Sequence, residues 1–148
     1  MAFISVEATI AAPAEEVWAQ IADIGSHVRW MDDAVAIRFT SPAHAGVGAT
    51  FECDTKVGPV RLTDRMVVTD WDPPTVMGIR HVGVVTGRGR FVLEPVPGGT
   101  RFTWEEDLDF PVRIGGRVGE ALAVPLLRRV WRRNLANLKR LVEGRPAV

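Results

Sequence analysis

Hydrophobic and polar residues alternate strictly at the start of the chain. Over residues 2–10, Ile4, Val6, Ala8 and Ile10 fall on one side and Phe3, Ser5, Glu7 and Thr9 on the other, the period of a half-buried strand. Ala11-Ala12-Pro13 breaks the run, and Pro13 suits the first turn of a helix, where its missing N–H is not needed. Glu15 and Glu16 follow where the helix dipole favours negative charge. Val17, Trp18, Ile21 and Ile24 continue at helical spacing until Gly25. A second short helix is expected over residues 27–34, carrying Trp30 and Met31.

Strand-like runs follow at 35–40, 49–57, 60–71, 75–82 and 84–96, separated by Pro42, Gly46 and Gly48, by Gly58-Pro59 and by Pro73-Pro74. Gly87 and Gly89 inside the last run predict a bulge or strong bend. After the turn Pro97-Gly98-Gly99, residues 100–110 alternate again, with Phe102, Trp104, Glu106, Leu108 and Phe110 on one face. Loops this short imply an antiparallel meander. Residues 114–143 then read as a long helix. Leu127, Val130, Trp131, Leu135, Leu138, Leu141 and Val142 fill one arc, and Arg128, Arg129, Arg132, Arg133, Lys139 and Arg140 the opposite one. Pro125 predicts a kink or break near residues 121–124, and Gly144 a stop.

The order is strand, two helices, about six strands and a long helix, in one domain spanning 1–148. Together with Ala-Ala-Pro-Ala-Glu-Glu-Val-Trp at 11–18, Val-Arg-Trp-Met at 28–31, Val-Val-Thr-Asp-Trp-Asp-Pro-Pro at 67–74 and Gly-Gly-Thr-Arg-Phe-Thr-Trp at 98–104, it resembles the polyketide cyclase/dehydrase and lipid-transport proteins of the START-like (SRPBCC, helix-grip) superfamily. The resemblance runs over nearly the whole chain. It implies an α+β helix-grip fold: a curved antiparallel sheet of about seven strands wraps around the C-terminal helix and leaves an apolar cavity between them.

Composition narrows the partners. The 148 residues carry no net charge, which argues against electrostatic binding of nucleic acid or acidic membranes. No run approaches the roughly 18 apolar residues of a membrane span, so membrane insertion is not expected. The N-terminus lacks a basic segment and places Glu7 inside its apolar stretch, unlike a signal peptide. Cys53 is alone, so no intrachain disulfide forms and a cytoplasmic location is expected. The five Trp and six Phe come with no Tyr, so large apolar rings are plentiful and no phenol is present.

Standard catalytic signatures are missing. His27, His44 and His81 share no metal-ligand spacing with one another or with Cys53, no serine stands in a G-x-S-x-G setting, and the glycine pairs do not space like a nucleotide loop. No metal or cofactor is expected. The basic arc of the last helix reads as a solvated face.

Polar residues on apolar faces are more informative, because burying them unpaired costs free energy. Asn134 reads either as a satisfied core amide or as a cavity donor. Glu106 reads as a structural ion pair or a cavity carboxylate, the latter with a raised pKa suited to acid–base work. His81 shares a phase with Met77 and Ile79 and reads as a packed histidine or an acid–base group. In the strand 61–67, one register points Thr63, Arg65 and Val67 inward and the other Leu62, Asp64 and Met66; hydrophobicity does not settle the choice, and periodicity alone favours the second, which buries Leu62 and Met66. The family resemblance adds weight to the first, since aromatase/cyclases carry a hydroxyl residue and an arginine at alternate positions there. It would make Arg65 the holder of an enolate oxygen, with Thr63 and His81 nearby. Trp30, Met31, Phe51, Cys53, Ile79, Phe91, Trp104, Leu127 and Trp131 are core or cavity wall.

The leading expectation is a binding protein for a hydrophobic or aromatic small molecule. The alternatives are a polyketide aromatase/cyclase or dehydrase built on Arg65, and a protein-interaction module.

Overall fold

The computed structural model describes residues 1–144, so the last four residues of the expected domain lie outside the described residues. The elements are β1 (Ala2–Ile10), α1 (Ala14–Ala22), a 3₁₀ turn (Ile24–Arg29), β2 (Ala34–Phe39), β3 (Thr50–Val57), β4 (Val60–Asp72), β5 (Val76–Val82), β6 (Thr86–Val96), β7 (Gly99–Asp109), a second 3₁₀ turn (Val112–Ile114) and α2 (Gly116–Glu143). Among the described residues the seven strands form one antiparallel sheet in the order β1-β7-β6-β5-β4-β3-β2. Each hairpin neighbour follows in sequence. Only β1 is brought in from afar, pairing with β7 from Ala2↔Leu108 to Ile10↔Thr100. The sheet curves beside the long C-terminal helix in the helix-grip arrangement.

Side chains alternate as the sequence predicts: Ile4, Val6 and Ile10 of β1 and Phe102, Trp104 and Leu108 of β7 are buried. The helix α2 runs alongside β1. Its Lys139 Nζ donates to the Thr9 carbonyl at 2.7 Å, and the Ala11 N–H donates to Glu143 Oε2 at 2.9 Å. Trp131, Leu135 and Leu138 make its buried face. No described helix is long and apolar enough to cross a membrane.

Three local expectations are corrected. The second short helix is a 3₁₀ turn that ends at Arg29, so Trp30 and Met31 follow it rather than ride on it. The chain must open there because Asp32 and Asp33 reach α2: Asn134 Oδ1 accepts from the Asp32 N–H at 2.9 Å, and Asn134 Nδ2 donates to Asp33 Oδ1 at 2.7 Å. β6 carries no bulge at Gly87 or Gly89 and pairs in unbroken register on both sides. The register shifts lie instead at Ala34/Ala36 and Val68/Asp70. Lastly, α2 remains one helix through Pro125. The carbonyl four residues before a proline loses its partner, but Ala121 is exposed and water can take that bond.

Candidate functional site

Between the sheet and α2 lies a cavity of about 590 Å³, within the range of small-molecule sites. One wall is aromatic. Trp104 of β7 stacks on Trp131 of α2 with ring centroids 4.8 Å apart, and meets Phe91 of β6 edge-on at 5.4 Å. The floor is aliphatic, from Leu62 and Met66 of β4 and from Met77 and Ile79 of β5. Val60, Leu122 and Leu126 line the cavity and are also exposed at the surface, which marks its opening between the β3–β4 hairpin and the first half of α2.

Into this wall the sheet sets three ionisable side chains from β4, β5 and β7. His81 Nδ1 lies 2.9 Å from Asp64 Oδ2, and His81 Nε2 lies 2.7 Å from Glu106 Oε2. Trp104 Nε1 donates to Glu106 Oε1 at 3.2 Å. Burial works against the imidazolium, but the charge of Glu106 and the hydrogen bonds to both carboxylates outweigh it, and the His81 pKa is pushed up to about 10. His81 is therefore protonated at neutral pH and donates from both nitrogens. Glu106 reaches it only because Gly89 stands between them: Gly89 pairs with Glu106 on one side and Ile79 on the other. A Cβ there would lie 2.3 Å from Glu106 Oε1. The glycine is present to let a carboxylate pass over its strand.

A second polar group lies where α2 meets the cavity. Asp33 accepts from Asn134 and, at 3.3 Å, from Trp131 Nε1; burial raises its pKa and these hydrogen bonds moderate the rise. His27 donates through Nε2 to the Ile21 carbonyl at 2.7 Å, and burial lowers its pKa to about 4, so it is neutral. Burial pushes the Cys53 thiol up to about 11, leaving it un-ionised. Among the described residues no group of three or more His, Cys, Asp or Glu is placed to hold a metal ion.

Of the residues singled out in sequence, Met31, Phe51, Cys53, Ile79, His81, Phe91, Trp104, Glu106, Leu127 and Trp131 line the cavity. Trp30 is fully buried in the core instead, edge-on to Trp104 at 6.1 Å, and Asn134 is a satisfied core amide. Arg65 and Thr63 are corrected outright. Both point away from the cavity: Arg65, 66% exposed, pairs through Nε with Glu52 Oε2 at 3.1 Å, and the Thr63 hydroxyl donates to Asp54 Oδ1 at 3.0 Å. The strand takes the register that turns Leu62, Asp64 and Met66 inward, because the apolar side chains gain from burial while a guanidinium beside a surface acid keeps its water. That same register supplies Asp64. Asp33 and His27 carry no sequence signal, because what brings them to the cavity is contact with distant segments.

Solved structures share this architecture. TTHA0849 from Thermus thermophilus superposes with a TM-score of 0.83 at 16% identity, covering 96% of this chain and 97% of its own. A START superfamily protein from Mycobacterium smegmatis gives 0.78 at 14% identity, covering 96% and 97%. The di-domain ARO/CYC StfQ of the steffimycin biosynthetic pathway gives 0.78 at 11% identity over 96% of this chain and 50% of that two-domain chain. At these identities the likeness is one of fold. No curated protein matches the sequence. The family model for polyketide cyclase/dehydrase and lipid transport matches residues 1–143.

Proposed function

Since the chain belongs to the polyketide cyclase/dehydrase and lipid-transport family, we propose that it binds a hydrophobic or aromatic small molecule between the sheet and α2. The observation that carries this reading is the cavity itself, about 590 Å³, walled by Phe91, Trp104 and Trp131 and open at Val60, Leu122 and Leu126. Flat rings offer stacking surface to an aromatic ligand, and the few polar groups are gathered where they can orient it. The test is binding of an uncharged apolar dye such as Nile red, with native mass spectrometry for co-purified ligand. Wild type should enhance the dye's fluorescence. Ile79→Trp, which fills the floor at an overpacking cost of about 1–3 kcal/mol, should abolish the enhancement while unfolding stays cooperative. Dye binding unaffected by Ile79→Trp would remove this reading.

The buried Asp64–His81–Glu106 cluster favours a second reading, acid–base chemistry of the cyclase or dehydrase kind. In it His81 is no base, since it keeps its proton to about pH 10. Asp64 would accept a ligand proton, which leaves the negative charge on the ligand's enolate and makes the cluster, with its imidazolium, net neutral, so that it no longer repels that anion. Turnover of a poly-β-ketone substrate that is lost in Asp64→Asn, with binding retained, would separate this reading from simple carriage.

A further inference from the structure

The net charge of zero is an average over faces that differ. Between residues 111 and 133 six arginines stand against one acid, Glu120. That acid is buried and already spent, since it holds the N-terminal ammonium at 2.9 Å and accepts from the Phe110 N–H at 2.9 Å. Arg133 lies 3.7 Å from Asp32, and the other five arginines make no ion pair among the described residues. Across the cavity opening the β3–β4 hairpin adds Lys56 and Arg61, both exposed. The nearest acids on the outer face of β3, Glu52 and Asp54, are held by Arg65 and Arg38. Apolar side chains project from the same rim. Val112 is 91% exposed, between Phe110 and Ile114 of the cavity wall. Val118 and Leu122 are exposed on α2, and Val60 on the hairpin.

Exposed aliphatic side chains among unpaired cations fit one surface above others. A bilayer of anionic lipid offers acyl chains to the valines and leucine and phosphates to the arginines. Nucleic acid has no place for aliphatic side chains, and no aromatic ring is exposed on the rim to stack on its bases. A second copy would set like charges face to face. Protein partners are held mainly by large rigid anchors, and valine and leucine are poor ones. We infer that this rim docks on the surface of an anionic bilayer, with the cavity opening turned toward the lipid. The contact is peripheral: Val112, Val118 and Leu122 enter the headgroup layer while the arginines stay among the phosphates. It needs no ligand in the cavity, so it is tested separately from the binding function proposed above.

Cosedimentation with extruded vesicles tests it. Wild type should bind phosphatidylcholine vesicles containing about 30% phosphatidylglycerol roughly tenfold or more tighter than vesicles of phosphatidylcholine alone. Raising the salt from about 0.1 M to about 0.5 M should remove most of that preference. Arg113→Gln/Arg117→Gln should weaken binding more than about tenfold, at roughly fivefold for each cation taken from the surface. Val112→Gln/Val118→Gln keeps every charge and should cost about tenfold through lost apolar contact. None of these four residues lines the cavity, so in the absence of vesicles both variants should take up Nile red as wild type does. Equal binding to both vesicle types, binding to neither, or an unchanged affinity in the arginine variant would overturn the inference. So would binding that needs the arginines but is untouched by Val112→Gln/Val118→Gln, the mark of a surface for any polyanion. If a variant fails to fold, the lipid and salt dependence of wild type decides. Dye uptake without vesicle binding removes the docking and leaves the binding function standing; vesicle binding without dye uptake does the reverse.

Discussion

At the residue scale, two buried histidines are held in opposite protonation states, and each has a consequence for stability. His81 keeps its proton to about pH 10 in the folded protein, against an ordinary value of 6.5. The stabilisation from its raised pKa is complete below pH 6.5 and drains away as pH rises toward 10. For His27 the folded value is about 4, so the unfolded chain binds more protons and stability falls as pH drops from 6.5 toward 4. Thermal unfolding followed across pH 4–10 should therefore show a maximum near neutrality. His81→Gln should flatten the alkaline fall and leave the acid one. Gly89→Ala, whose methyl would displace the Glu106 carboxylate from His81, should lower the melting temperature most at neutral pH and least at pH 10. A wild-type alkaline limb identical to that of His81→Gln would rule out a charged His81.

At the scale of elements, α2 carries a local cost in its middle. Pro125 lies inside the helix and withholds a donor from Ala121, yet the helix continues. Pro125→Ala should stabilise the protein, by up to the roughly 3 kcal/mol that separates proline from alanine in a helix interior, and so raise its melting temperature. An unchanged or lower melting temperature would mean that surrounding packing has adapted to the proline. The elements also show which patterns a sequence makes legible. β1 and β7 declare themselves through alternation, and the hairpins through Gly and Pro at their turns, because those signals are local. The segment 30–33 does not, since its conformation is dictated by Asn134 a hundred residues away, and Asn137 Nδ2 adds a bond to the Trp30 carbonyl. Gly89 reads as a bend in sequence for the same reason: its purpose is a carboxylate on the next strand. Only analogy with family members draws Arg65 inward, against a periodicity that already favours Leu62 and Met66.

For the whole molecule, the distribution of apolar surface along α2 matters more than the net charge of zero. The solvent-facing stripe of this helix is not basic throughout. Val118, Leu122 and Leu126 fall on it at four-residue spacing before Arg129 and Arg133 take it over, and Leu122 is 75% exposed. The sequence hides this because a projection centred on the second half of the helix assigns the opposite arc to arginines. Exposed leucines gain nothing for folding, so their place at the cavity opening calls for another reason. On the binding function proposed above, an apolar ligand would shed water in passing such a rim, and the rim would lower the barrier to its entry. Leu122→Asp/Leu126→Asp should accordingly lower the melting temperature of the empty protein by only a few degrees, the cost of aspartate in a helix, because neither side chain is in the core. Stopped-flow mixing with Nile red should show slower association, with a smaller change in dissociation constant, since the aromatic wall that holds the dye is intact. An unaltered association rate would place the route of entry elsewhere along the sheet.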